Sequence, residues 1–92
     1  MTIRELWTQL QADYALCSGP WLAEELAGAT VTATLIDGTT TITAATASPW
    51  LPWLRKQLAP GASRKASAIA GRRVRVEFVL RQAQEPGEVG QP

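Results

Sequence analysis

The sequence predicts a two-layer α+β domain of element order α-α-β-β-α-β, with a three-stranded sheet covered on one face by helices. Three observations predict it. Apolar residues recur at helical spacing over residues 2–17 and again from about residue 50. β-Branched residues alternate with small apolar ones over residues 29–46, around an Asp-Gly pair. A last alternating run covers residues 72–81.

In the first helix Ile3, Leu6, Trp7, Leu10, Tyr14 and Cys17 fall on one stripe. Thr2 followed by Glu5 matches a capping box, in which side chain and backbone of the two residues satisfy each other. Ser18-Gly19-Pro20 ends this helix and opens another over about residues 20–27, which carries Trp21, Leu22 and Leu26 and stops at Gly28. Next, Val31, Ala33 and Leu35 alternate with threonines, as in a strand with one buried face. Asp37-Gly38 then predicts a two-residue hairpin turn into a second strand, Thr39 to Thr46. Ser48-Pro49-Trp50-Leu51-Pro52-Trp53 opens a third helical region, with Trp50, Trp53, Leu54 and Leu58 on one face. Pro60-Gly61 predicts a kink or restart, after which Ala66 and Ile69 point inward and Gly71 caps the helix. The last strand puts Val74, Val76, Phe78 and Leu80 on one face and Arg73, Arg75, Glu77, Val79 and Arg81 on the other.

With 92 residues the chain holds one domain, read as residues 1–81, followed by a polar Gly/Pro-broken tail over residues 82–92. The single cysteine, Cys17, excludes an internal disulfide and fits a reducing compartment. The start of the chain has neither the basic region nor the apolar stretch of a signal peptide, and no apolar run is long enough to span a bilayer. The expected location is therefore the cytoplasm, away from the membrane. Charge is unevenly spread. Residues 1–37 carry Arg4 against Glu5, Asp13, Glu24, Glu25 and Asp37, a net −4. Residues 55–81 carry Arg55, Lys56, Arg64, Lys65, Arg72, Arg73, Arg75 and Arg81 against Glu77, a net +7. Such a distribution can steer charged partners or align copies of the chain, although for any single charge a solvated face is the preferred reading.

Catalytic chemistry is poorly provided for. There is no histidine, and one cysteine without histidine cannot build a usual zinc site. Neither GxxxxGK[ST] nor GxGxxG is present, and the adjacent Glu24 and Glu25 diverge on a helix. The reading is therefore non-enzymatic, with no metal and no cofactor. Nucleic-acid binding is the alternative. The element order resembles a KH-like domain, and Arg72, Arg73 and Arg75 form a basic patch that can meet phosphates. The gripping GXXG of such domains is spelled only by Gly87-Glu88-Val89-Gly90 in the tail, and no aromatic alternates with the arginines to stack bases.

Four tryptophans punctuate the chain. Trp21 and Trp53 are expected in the core. The Trp7 stripe must serve both core and partner, and Trp50, beside two prolines, is expected to be partly exposed. Their order completes a pattern. Leu6-Trp7-Thr8-Gln9-Leu10 is followed by Trp21-Leu22, a hairpin ending in Ala45-Thr46-Ala47-Ser48-Pro49, then Trp50 and Trp53-Leu54. Leu58, Ala62, Ala66 and Ile69 come next, and Gly71 with Val74-Arg75-Val76-Glu77-Phe78-Val79 closes the series. Over about residues 3–81 this series resembles the N-terminal domain of the bacterial replication initiator DnaA. The resemblance implies a protein-interaction module of DNA replication initiation. Such a module self-associates weakly through its first helix and recruits the replicative helicase or an initiation regulator. Carried over, it assigns self-association to Ile3, Trp7 and Leu10. It assigns partner binding to Trp50 and to Cys17, which falls near an acidic helicase contact of the family.

Overall fold

The computed structural model describes residues 2–81, so the tail read over residues 82–92 lies outside the described residues. The elements follow the expected order. They are α1 (Ile3–Cys17), α2 (Pro20–Ala27), β1 (Thr30–Ile36), β2 (Thr39–Thr46), α3 (Leu51–Trp53), a π-helical stretch (Leu54–Leu58), α4 (Ala59–Ala70) and β3 (Val74–Leu80). The sheet order is β1-β2-β3, with β1 antiparallel and β3 parallel to the central β2. Helices pack on one face, which makes a two-layer α+β domain.

Local chemistry accounts for most boundaries. Thr2 and Glu5 form the capping box at the start of α1: the Thr2 amide donates to Glu5 Oε1 at 2.7 Å, and the Glu5 amide to Thr2 Oγ1 at 3.1 Å. The hairpin turn needs positive φ at both central residues, and Asp37 (51°) and Gly38 (76°) supply it. Gly71 closes α4 in the left-handed conformation at φ 70°.

The Thr2 amide and hydroxyl hold the Glu5 carboxyl below its ordinary pKa of 4.5, chiefly through the amide hydrogen bond. A depressed folded-state pKa means stability that is present above the unfolded value and lost as pH falls through the folded one. Thermal unfolding of the wild type and Glu5→Gln should show the wild type melting higher at pH 7 and the two converging by about pH 3. A gap that is constant with pH would show that the carboxylate's charge contributes nothing at the cap.

The core draws on every element except β1. It contains Leu6, Trp7, Leu10 and Tyr14 from α1, Leu22 and Leu26 from α2, and Ile42 and Ala44 from β2. Leu51, Leu54, Leu58, Ala62 and Ala66 come from the third helical region, and Val74, Val76 and Phe78 from β3. The restart expected at Pro60-Gly61 is present: a π-helical stretch ends at Leu58 and α4 begins at Ala59, with Pro60 in its first turn, where a missing amide costs no helical hydrogen bond. Two expectations are corrected here. The inward stripe of that region is Leu51–Leu54–Leu58–Ala62–Ala66, while Trp50 and Trp53 fall on the neighbouring, outward stripe. Finally, Ala33 and Leu35 are exposed and Val31 is only half-buried, because the helices cover β2 and β3 and stop short of β1. Leu80, expected on the buried face, is also exposed, at the very end of β3.

The outer edge of β3 is closed by side chains from the helical layer. The Val76 amide donates to Ser63 Oγ at 2.9 Å and the Val74 amide to Ser67 Oγ at 2.9 Å. Arg55 Nε donates to the Phe78 carbonyl at 2.9 Å. Between α1 and α4, Lys65 pairs with Asp13 and stands 5.2 Å over the Tyr14 ring. Both partners are nearly two-fifths exposed, so this clamp is worth less than about 1 kcal/mol.

Candidate functional site

The positions of the tryptophans single out one surface. Trp21 lies in the first turn of α2, Trp50 immediately precedes α3, and Trp53 ends α3. Their rings meet: Trp21 is 6.2 Å from Trp50 and 5.7 Å from Trp53, centroid to centroid, at tilted angles of 57° and 53°. This is the edge-to-face range in which aromatic pairs attract. All three remain open to solvent, at 45% for Trp21, 53% for Trp50 and 37% for Trp53. The core expectation for Trp21 and Trp53 is thus overturned. On α2 the buried positions are Leu22 and Leu26, and Trp21 shares its side of the helix with Glu24 and Glu25, one turn on.

A rigid entry holds Trp50 in place. The Trp50 amide donates to Ser48 Oγ at 3.0 Å, the Leu51 amide reaches the Ser48 carbonyl at 3.3 Å, and the Ser48 amide donates to Thr46 Oγ1 at 3.1 Å. Ser48 thereby fixes the turn that leads into α3, and Pro49 and Pro52 limit the backbone on either side of the indole. Aromatic surface presented on a backbone this constrained loses little entropy when a partner covers it.

Trp7 has a different role. It is 4% exposed, its Nε1 donates to the Leu26 carbonyl at 2.9 Å, and its ring lies 6.4 Å from Phe78. The Leu26 carbonyl belongs to the last turn of α2 and also accepts the Ala29 amide at 3.2 Å, so the indole fills the core and adds a second hydrogen bond at that helix end. Leu10 is fully buried beside it. A self-association face of Ile3, Trp7 and Leu10 on the surface of α1 is therefore corrected. Only Ile3 of the three is partly accessible, since the single apolar stripe of α1 is used by the core. Cys17 is exposed at the end of α1 and is not one of the aromatic cluster.

Arg72, Arg73 and Arg75 are all exposed around the start of β3. Arg75 Nε is 3.1 Å from Glu77 Oε2, which neutralises part of the patch. The face of the sheet that Arg75 shares carries Thr30, Thr32, Thr34, Thr39, Thr41 and Thr43. Threonines give bases nothing to stack on.

Among the described residues no three of His, Cys, Asp and Glu come together as a metal site. Among them, too, no helix is long and apolar enough to cross a membrane. No known family model, curated protein or solved structure matches the chain. The fold and its surface define a two-layer α+β domain that presents a cluster of three partly exposed tryptophans.

Proposed function

We propose that the chain is a non-catalytic protein-interaction module of the DnaA N-terminal kind, docking the replicative helicase or a regulator of replication initiation through Trp21, Trp50 and Trp53. The observation that carries this reading is the cluster itself. Three indoles, Trp21 packed against both Trp50 and Trp53 and each more than a third exposed, stand at helix termini beside proline and serine. Tryptophan is the residue most enriched where a few side chains dominate binding energy, and solvent exposure of this much indole costs a lone domain solubility. Glu24 and Glu25 beside Trp21 favour a docking segment that flanks its apolar residues with basic ones. The alternative, single-stranded nucleic acid on Arg72, Arg73 and Arg75, has charge in its favour but no stacking platform.

The experiment is calorimetric titration of the full chain with the replicative helicase of its own cell, and in parallel with a labelled oligonucleotide at two salt concentrations. Helicase binding should weaken about 30-fold or more in Trp50→Ala, the loss of one hot-spot side chain. The melting temperature should barely move, because Trp50 is half exposed. A helicase that binds both forms equally, or neither, overturns the helicase reading. Salt-dependent oligonucleotide binding abolished by Arg73→Glu establishes the alternative.

A further inference from the structure

β1 is an open edge, and its geometry is complementary to itself. In a two-residue hairpin the residues flanking the turn, Ile36 and Thr39, exchange hydrogen bonds, so the even-numbered residues of β1 pair with β2. The amides and carbonyls of Val31, Ala33 and Leu35 therefore point outward, and among the described residues none has a partner. No charged residue lies between Thr30 and Ile36 to discourage pairing, which sets β1 apart from most exposed edges. The opposite edge of the sheet, by contrast, is closed by Ser63, Ser67 and Arg55.

Side chains on the helix-facing side of β1 are unburied in a matching way. Leu35 is 70% exposed at one end of the strand. At the other end a groove of about 610 Å³ opens between α1 and β1, walled by Ile3, Trp7 and Val31 among others. We propose that two copies of the chain pair β1 against β1, antiparallel about a two-fold axis through Ala33, and that Leu35 of each copy enters the groove of the other. In this register Val31 faces Leu35 of the second copy and Ala33 faces its own equivalent, so every outward amide and carbonyl of the three residues is used. The arrangement also satisfies the reciprocity that a two-fold interface demands.

Charge agrees with the register. Asp37 of one copy comes beside Ala29 and Thr30 of the other. Arg81 lies there, its guanidinium bonded to the Gly28 carbonyl and Thr30 Oγ1. Asp37 has no ion-pair partner within its own chain among the described residues. Ile3 and Trp7 thus contribute to self-association as walls of a groove, with the indole of Trp7 still in the core. The inference is independent of the Trp21–Trp50–Trp53 surface, so either can fail alone.

Sedimentation equilibrium of the full chain tests it. The wild type should pass with concentration from 9.9 kDa to about twice that mass. Leu35→Lys, a change at a solvent-exposed position, should remain monomeric at least tenfold higher in concentration with an unaltered circular dichroism spectrum. Trp50→Ala should dimerise like the wild type. A cross-link fixes the register. In a Cys17→Ser background, Ala33→Cys should oxidise to a disulfide dimer, since facing residues of a hydrogen-bonded antiparallel pair have Cα atoms about 5.5 Å apart, within disulfide reach. Leu16→Cys, exposed at the end of α1, should not. A wild type that stays monomeric, a Leu35→Lys dimer of undiminished affinity, or equal cross-linking at positions 33 and 16 would each overturn the proposal.

Discussion

Replacing Trp7 with alanine should lower the melting temperature by about 15–30 °C and leave much of the chain unfolded at physiological temperature. The indole is 4% exposed and packs towards Phe78 while its Nε1 donates to the Leu26 carbonyl. Truncation removes the burial and opens a cavity, together costing about 3–5 kcal/mol, and it removes one of the two hydrogen bonds that the Leu26 carbonyl accepts, leaving the one from the Ala29 amide at 3.2 Å. A domain of this size has only about 4–12 kcal/mol in total. Trp7→Phe should recover much of the packing and none of the hydrogen bond, and so fall between the two. Thermal unfolding by circular dichroism would settle the matter: a Trp7→Ala protein melting within a few degrees of the wild type would show the indole to be a surface group. The same substitution is therefore unsuitable for testing self-association, because a monomeric Trp7→Ala would report unfolding. Leu35 and Trp50 can be changed without that ambiguity.

Where local chemistry determines an element, the sequence is legible. Thr2 with Glu5, Asp37 with Gly38, and Gly71 each act within a few residues, and each does in the structure what its residue type implies. The element order follows from these signals together with the change in apolar period. Burial is a different matter because it depends on which stripe the rest of the fold covers. In the third helical region two stripes compete one residue apart. Trp50 and Trp53 start one that continues through Gln57, Pro60 and Arg64. Leu51, Leu54, Leu58, Ala62 and Ala66 make the other, apolar for its whole length. The indoles dominate by size, yet the continuous stripe is the one that faces the sheet. On α2 the same logic separates Trp21, followed by Glu24 and Glu25, from Leu22 and Leu26. Continuity of a stripe over several turns was the available signal for the tryptophan surface, and large area per residue masked it.

The exposure of β1 was not legible from its own residues. Val31, Ala33 and Leu35 alternate with threonine as a half-buried strand should. Only the number and placement of the helices decide that the cover ends over β2. Nor does any local pattern show which edge of the sheet is closed, since Ser63 and Ser67 read as ordinary polar positions of α4. Their four-residue spacing, beside the inward Ala62 and Ala66, lines both hydroxyls up along β3, and Arg55 extends the row by one more contact.

The joint substitution Ser63→Ala, Ser67→Ala should therefore destabilise the fold and change how the protein associates. Each serine accepts an amide of β3, from Val76 and Val74 respectively. The Ser67 hydroxyl also lies 2.8 Å from the Ser63 carbonyl and 3.0 Å from the Val74 carbonyl. Removing both hydroxyls leaves part-buried strand amides with only intermittent water. The cost is about 2–3 kcal/mol for the pair, or a fall of about 10–20 °C in melting temperature. The two effects should not be additive, because Ser67 bonds the Ser63 backbone as well as the strand. The consequence for assembly is larger. A chain with one open edge forms a closed two-fold pair and stops, whereas a chain with two open edges can pair at both and continue. The double variant should scatter light and sediment as a broad distribution at concentrations where the wild type is monomer and dimer. Adding Leu35→Lys should narrow that distribution by closing β1. If the double variant melts lower yet sediments as the wild type does, Ser63 and Ser67 stabilise β3 without guarding its edge, and the hydrophobic neighbours Ala59 and Pro60 must be what keeps a second strand away.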